Sequence, residues 1–370
     1  MAGCSIKSYI LYCIAFFISR HTVFSEKTGK EETILSNIKI AIVGATGMVG
    51  RTFLQVLEEY KMEGYEYTLL ASARSAGKAL DFFGKQYVVE ELNENSFDKG
   101  FDIALFSAGG STSEKYAPIA ASKGCVVIDN SSQWRMDKDV PLVVPEVNPE
   151  DIFKNKGIIA NPNCSTIQAV VALKPLYDRY GIKRIVYSTY QAVSGAGVKG
   201  WDDLENGAKA FADGSEYELG KFPAPIFGNC LPQIDVFLDT GYTKEEQKMI
   251  DETKKIMGDD SLAITATTVR VPVFNGHSES VNVELDSAFE MSDIFDTLAG
   301  FPGIVLKDDI ANNVYPTPLD AAGTDDVYIG RIRRDYSVEN GINMWVVADN
   351  IRKGAASNAV QIAKILIEAM

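Results

Sequence analysis

The apolar positions of this chain fall into two rhythms. From Ile38 onward, short runs rich in β-branched residues alternate with segments of helical spacing. Ile38–Val43 reads as a buried strand, after which Met48, Val49, Phe53 and Val56 recur at roughly helical intervals. EYTLLAS, YVVEEL, DIALFSAGG and CVVIDNSS read as further strands, with a helix over SEKYAPIAASKG that ends at its glycine. Strands alternating with helices imply a parallel sheet. Ile167, Val170 and Leu173 then mark a helix that begins near Cys164. Beyond it the rhythm changes. IKRIVYSTYQAV, SLAITATTVRVPVF and SESVNVELDSAF are long strand-like segments with fewer helices between them, which predicts a mixed or antiparallel sheet with helices on one face. The closing stretch, NIRKGAASNAVQIAKILIEAM, predicts a terminal helix.

The first 37 residues follow neither rhythm. Tyr9–Ile18 is an apolar run of about the length of a signal-peptide core, too short for a confident membrane span. Only Lys7 precedes it as a cation, and no small-residue cleavage site follows. Residues 25–37, rich in Ser, Lys and Glu, read as disordered. The expectation is a dispensable extension, with targeting or anchoring as the alternative.

Composition narrows the partners. A chain of 370 residues suits two domains, each able to bury a core. With 36 Lys+Arg against 50 Asp+Glu, the net charge is −14 and no basic run interrupts it, so nucleic acid is not an expected partner. The five cysteines (4, 13, 125, 164 and 230) are scattered and form no CxxC pair, which reads as reduced thiols. With only His21 and His277 beside them, a zinc site lacks a ligand set, and no metal is expected.

The chemistry begins at VGATGMVG. Gly44, Gly47 and Gly50 follow a strand and enter a helix, a G-x-x-G-x-x-G variant of the dinucleotide fingerprint. Small residues let the main chain approach a pyrophosphate, whose charge the helix N-terminus stabilises. A glycine turn serving only strand–helix packing is the competing reading. An NAD site usually ends the next strand with an acid roughly 20 residues further on. Here that strand ends in LLASARSAGK, where Ser72, Arg74, Ser75 and Lys78 offer donors and positive charge instead. NADP is therefore favoured over NAD, against the alternative of a solvated basic loop.

In NPNCSTIQAV, Cys164 stands where turn chemistry gives way to a helix. That position lowers a thiol pKa, and the same N–H groups, with the Asn163 amide, could hold an oxyanion. His277, in RVPVFNGHSES, is the available base. It lies seven residues after Arg270 on what reads as one long strand, so the NG at 275–276 must bend the chain if both line one site. A thiolate, an imidazole and a nicotinamide together suggest aldehyde oxidation through a thioester.

GATGMVG, ASARSAGK, DNSSQWRM, VPEVN, NPNCST, STYQAVSGAG and RVPVFNGHSES stand in the order found in bacterial-type aspartate-semialdehyde dehydrogenases, which the chain resembles from Ile38 to its end. The resemblance implies an α/β fold: a Rossmann-type nucleotide-binding domain with a second α+β catalytic and dimerisation domain. Residues 38–162 and 348–370 would form the first, and 163–347 the second. It implies an NADP-dependent enzyme interconverting aspartyl phosphate and aspartate semialdehyde, on the route to lysine, threonine and methionine. The protein would be a cytoplasmic homodimer or homotetramer. By the same resemblance Cys164 forms the acyl-enzyme, His277 shuttles the proton and Gln191 orients the substrate. Arg270 grips the α-carboxylate, Arg135 and Lys248 the phosphate, and Glu245 the ammonium, with Asn163 also at the substrate. Glu245 and Lys248 share a face of a helix opened by the capping box Thr243–Glu246. The matching cofactor residues are Gly44, Thr46, Gly47, Met48 and Val49, then Arg74 and Ser75, Ser194 and Gly195, and Asn350. N-acetyl-glutamyl-phosphate reductases share the thioester chemistry, but their substrate has no free ammonium for Glu245.

Overall fold

The computed structural model describes residues 38–370, so the expectations about residues 1–37 lie outside the described residues. The architecture lies in residues 39–63 and 67–370.

β1 (Lys39–Val43) leads through the glycine loop into α1 (Met48–Glu59). β2 (Glu66–Ala71), the hairpin β3 (Ala79–Phe82) and β4 (Lys85–Val88), and the short β5 (Glu90–Glu91) follow. Then come β6 (Ile103–Phe106), α2 (Gly110–Ser122), β7 (Val126–Asp129), β8 (Ile158–Ala160) and α3 (Cys164–Tyr180). The second half contains β9 (Ile182–Gln191), α4 (Val198–Asp213), α5 (Lys244–Met257), β10 (Ala263–Arg270) and β11 (His277–Leu285). It closes with α6 (Met291–Ala299), β12 (Ile304–Leu306), α7 (Pro318–Ala321), β13 (Val327–Asp335), β14 (Gly341–Ala348) and α8 (Ser357–Ala369).

The first sheet has the order β5-β2-β1-β6-β7-β8, with parallel pairs from β1 to β8. β1 and β6 are apolar and almost wholly buried, as strands covered on both faces must be. The strand order reverses between β1 and β6, and in such sheets ligands bind outside the strand ends at that point. The second sheet has the order β10-β9-β11-β14-β13-β12 and is mixed, as the pattern predicts: β10 runs parallel to β9 and β12 to β13, while the pairs between are antiparallel. α3 lies across β9, β11, β14 and β13. One apolar core continues from Val43, Phe106 and Val127 through Val170 and Leu173 of α3 to Tyr187, Val281 and Val346. Each such fully buried aliphatic side chain contributes about 1.5–3 kcal/mol.

Two readings need correction. YVVEEL is not one strand: the hairpin ends at Val88 and a separate short strand covers Glu90–Glu91. The terminal helix starts later than Asn350, at Ser357, after a π-helical turn over Arg352–Ala356. β8, β12, β13 and β14 are strands that the pattern does not assign; in β13 three arginines mask the alternation, and the ladder slips between Gly330 and Arg333, with Arg331 at φ +55°.

Candidate active site

Cys164 is the first residue of α3, directly after β8. Asn163 caps that helix. Its Oδ1 accepts the N–H groups of Ser165 at 2.9 Å and Thr166 at 3.3 Å, and its Nδ2 donates to Glu245 Oε1 at 2.8 Å. The Asn163 main-chain N–H donates to Glu252 Oε2 at 2.6 Å, and Glu252 also accepts from Arg135 Nη1 at 3.0 Å. Arg135 Nη2 donates to the Asn130 carbonyl at 2.8 Å. The oxyanion expectation is therefore corrected: the Ser165 and Thr166 N–H groups and the Asn163 amide are already engaged.

The second sheet supplies a row of three residues. Arg270 of β10 pairs in register with Gln191 of β9. On the other side Ser278 of β11 pairs with Tyr190, so the same register sets His277 opposite Gln191. Arg270 and His277 do not share a bent strand, as the sequence suggests. The chain leaves β10, crosses the end of β9 and returns antiparallel to it as β11. Gly276 makes that crossing possible at φ +88°, where an added Cβ would lie 3.0 Å from Pro318. Arg270 Nη1 donates to the Ala192 carbonyl at 2.6 Å, and the Ala192 N–H donates to His277 Nδ1 at 3.0 Å. With Nδ1 accepting, the neutral ring carries its proton on Nε2, which is buried and has no protein partner. Gly195 packs over both residues: a Cβ there would lie 2.8 Å from Arg270 Nη1 and 3.2 Å from His277 Nε2.

These elements enclose a cavity of about 580 Å³. Of the residues singled out from sequence, Met48, Val49, Arg135, Asn163, Cys164, Gln191, Ser194, Gly195, Glu245, Lys248, Arg270 and Asn350 line it. His277 sits behind Gly195. Gly44, Thr46, Gly47, Arg74 and Ser75 lie off its wall, on the nucleotide side. Ser194 Oγ and Asn350 hydrogen-bond each other, and Asn350 Oδ1 accepts the Gly276 N–H at 2.9 Å, fixing the crossing loop.

The charges are buried and mutually held. Lys248 Nζ lies 3.2 Å from Glu245 and 2.9 Å from Asp235. Burial works against the Glu245 carboxylate, but Lys248, Asn163 and Arg270 outweigh it and hold its pKa below the ordinary value. Burial likewise works against the Lys248 ammonium, and the two carboxylates reverse the sign. Cys164 departs from expectation. Burial, then the Glu245 charge, push its thiol up to about 12, overriding Arg270, Arg135 and the Ser165 N–H. Burial and the Arg270 charge hold His277 neutral, well below the usual imidazole value.

On the nucleotide side the loop after β1 forms a main-chain cradle. Gly44 has φ +86°, and a Cβ there would meet the Ser107 carbonyl at 2.3 Å; one on Gly50 would meet the Gly44 carbonyl at 2.1 Å. No side chain caps α1 at Gly47, which leaves its first N–H groups for an anionic ligand. Thr46 Oγ1 reaches Ser75 Oγ at 3.2 Å, bringing the end of β2 to the loop. The cradle fits a dinucleotide.

A family model described as "Semialdehyde dehydrogenase, NAD binding domain" matches residues 39–155, and one described as "Semialdehyde dehydrogenase, dimerisation domain" matches residues 173–353. An aspartate-semialdehyde dehydrogenase of Aquifex aeolicus is 61% identical over 334 residues, 89% of this chain and 98% of that protein. The chain belongs to the aspartate-semialdehyde dehydrogenase family. The Bacillus subtilis member of that family is 49% identical over 89% of this chain and 97% of its own length. Among solved structures, Vibrio cholerae aspartate semialdehyde dehydrogenase II complexed with ASA superposes with a TM-score of 0.87 at 52% identity, covering 90% of this chain and 98% of that one. The Candida albicans aspartate semialdehyde dehydrogenase with NADP gives 0.71 at 28% identity, over 89% and 98%. The fold class expected for this family, a Rossmann-type domain with a second dimerisation domain, holds.

Sequence reasoning missed several residues of the site. Glu252 lies seven residues, two helical turns, beyond Glu245 on the same face of α5, a legible signal. Gly354 abuts the nucleophile, since a Cβ there would lie 2.8 Å from Cys164 Cβ. Lys221 and Asp235 line the cavity from a segment without periodicity. Among the described residues no helix is long and apolar enough to cross a membrane, and no group of three metal-ligating side chains converges.

Proposed function

We propose that this protein is an NADP-dependent aspartate-semialdehyde dehydrogenase, which converts L-aspartyl-4-phosphate to L-aspartate 4-semialdehyde and inorganic phosphate, reversibly, through a thioester on Cys164. The step serves lysine, threonine and methionine biosynthesis. One observation carries the reading: Cys164 opens into the same cavity as Arg270, Gln191, Glu245, Lys248 and Arg135, beside the glycine cradle.

The substrate has four handles. Arg270 suits the α-carboxylate, for which a planar fork is the better partner. Glu245, buried and ionised, suits the ammonium, and Arg135 and Lys248 suit the phosphate. Gln191 donates its amide protons to Thr189 and Glu245, both at 3.3 Å, which leaves Oε1 without a protein partner at the cavity. A substrate ammonium on Glu245 would offset the smaller of the two effects that hold the Cys164 thiol up; burial is the larger.

The thiolate adds to C4, the S–C bond forms, and the C–O bond to phosphate breaks with its electron pair leaving on the phosphate. A reduced nicotinamide cofactor held by the glycine cradle and Arg74 would supply the hydride that reduces the thioester. His277, neutral and with Nε2–H free, donates a hydrogen bond to the oxygen that gains charge. The S–C bond then breaks, releasing the aldehyde and restoring the thiolate. Discrimination for NADP rests on Arg74 and Ser75, with Ser72 and Lys78 nearby, at a strand end without an acid.

The proposed division is a nucleotide domain of 38–162 with 348–370 and a catalytic domain of 163–347. The matched dimerisation domain supports a homodimer or homotetramer, and the need for NADPH and an acyl phosphate supports a cytoplasmic setting. The deciding assay is NADPH formation from aspartate semialdehyde by the purified protein. It should require inorganic phosphate, and turnover without phosphate, or none at all, would overturn the proposal.

A further inference from the structure

Lys353 is fully buried, and no step of the proposed reaction uses it. It stands in the π-helical turn before α8, where the Gly354 N–H donates to the Asp349 carbonyl at 3.0 Å and the Ala356 N–H to the Ile351 carbonyl at 2.9 Å. That wider turn sets Gly354 against Cys164. Each ammonium proton of Lys353 has an acceptor: Glu146 Oε2 at 2.6 Å, Gln361 Oε1 at 2.8 Å and Asn358 Oδ1 at 3.1 Å. An ammonium only donates, so it decides which way the Asn358 amide faces. Asn358 Nδ2 turns away from it and donates to the Val143 carbonyl at 3.0 Å and to Asn161 Oδ1 at 2.7 Å. With its oxygen so engaged, Asn161 donates through Nδ2 to Asn130 Oδ1 at 2.5 Å and to the Ala355 carbonyl at 3.2 Å. Asn161 stands three residues before Cys164, and Ala355 directly follows Gly354.

We propose that Lys353 is a positioning residue: by ordering the Asn358 and Asn161 amides in series, it ties the loop that carries Cys164 to the turn that faces it. Asn358 and Asn161 are themselves buried, so neither amide has water as an alternative partner. An ion pair as deep as Lys353–Glu146 is a weak source of stability, because desolvation offsets the attraction. It does set direction. With the Asn358 amide turned over, its oxygen would face the Val143 carbonyl and Asn161 Oδ1, acceptor against acceptor. In the ordered state the loop before Cys164 and the wall at Gly354 and Ala355 are held as one piece. The cofactor end of the same segment is anchored separately. Asp349 Oδ1 accepts the Ile351 and Arg352 N–H groups, and Asn350 Oδ1 accepts that of Gly276.

This inference rests on the reading of Cys164 as the nucleophile, and the two fail separately. In the full-length enzyme Asn358→Leu should lower kcat roughly ten- to a hundredfold, the cost of a reacting group displaced by about 1 Å, with KM for NADP unmoved. Asn358→Asp keeps the oxygen for Lys353 but sets a second one against Asn161 Oδ1; it should lose kcat alike, and it serves where the leucine does not fold. Lys353→Met, made together with Glu146→Gln so that no charge is left alone, should match them. Adding Asn358→Leu to that pair should slow the enzyme no further. Gln361→Leu also takes an acceptor from Lys353 but none from the Cys164 loop, and it should keep most of kcat. Alkylation of Cys164, followed by peptide mapping, should be no slower in Asn358→Leu than in the parent, because the thiol is misplaced and not less acidic. Additive losses, or a Gln361→Leu as slow as Asn358→Leu, would reduce the cluster to packing and overturn the relay. Alkylation that slows in step with kcat would overturn positioning in favour of a lost charge effect on the thiol. A fast Cys164→Ser would sink the reading of the nucleophile instead; a dead one beside a fast Asn358→Leu would sink this inference alone.

Discussion

At the glycine loop the receptor surface is main chain: Gly44, Gly47 and Gly50 bring peptide N–H groups to the ligand, and Arg74 lies exposed beyond them. At the other end of the cavity the receptor is made of side chains, and almost none of them is free. Arg135 and Glu252 have side chains only 10% and 1% exposed, and Glu245 is 7% exposed against Lys248 at 25%. A cradle of peptide groups is satisfied by solvent before the ligand arrives. A buried charge has to be satisfied by its neighbours, so each catalytic-side charge also belongs to the stability of the fold. Binding and folding are separable on the first side and entangled on the second.

The largest expected effect tests Cys164, which takes part in no ion pair of the charge network. Cys164→Ser should lower kcat by about 10⁴-fold or more, while NADP binding and the melting temperature stay put. Turnover within tenfold of the parent would remove Cys164 as nucleophile. Next, the unliganded thiol should alkylate slowly and climb about tenfold per pH unit from pH 7 to 10, since only the thiolate reacts and its pKa is pushed far up. Peptide mapping against the exposed Cys230 reads this out, and a plateau below pH 8 would contradict the burial argument. Glu252→Gln should destabilise by about 3 kcal/mol, because Arg135 is left buried without its counter-charge. An unchanged melting temperature would break the contrast between the two sides. Arg74→Ala should cost roughly ten- to a hundredfold in NADP affinity, the worth of one charged hydrogen bond, with little change for NAD and none in melting temperature. Equal losses for both cofactors would refute the 2′-phosphate assignment.

Features encoded within one element were legible in the sequence. The glycine loop, the Thr243–Glu246 capping box and the shared face of Glu245 and Lys248 each follow from neighbours three or four residues apart. The capping box forms with both of its hydrogen bonds. The register row was not legible, because Gln191 meets Arg270 and His277 only through strand pairings that span about eighty residues. The crossing at Gly276 was half legible: NG announced a change of direction but not a return along the far side of β9. The thiol was misjudged for a related reason. A helix N-terminus lowers a thiol pKa locally, whereas enclosure by Glu245 and the surrounding walls is tertiary and outweighs it.

Gly354, set against Cys164, and Asn350, tied to Ser194, both lie in a stretch of chain synthesised long after Cys164. Translation runs from the N-terminus, so on the ribosome Cys164 and its cradle emerge long before the wall that closes over them. During that interval the nucleophile stands in a half-built room, without the wall that Gly354 and Ala355 supply. A ribosome-stalled chain ending at Ala348 should therefore alkylate faster at Cys164 than the released protein. The same rate in both would show that the closing turn shields nothing.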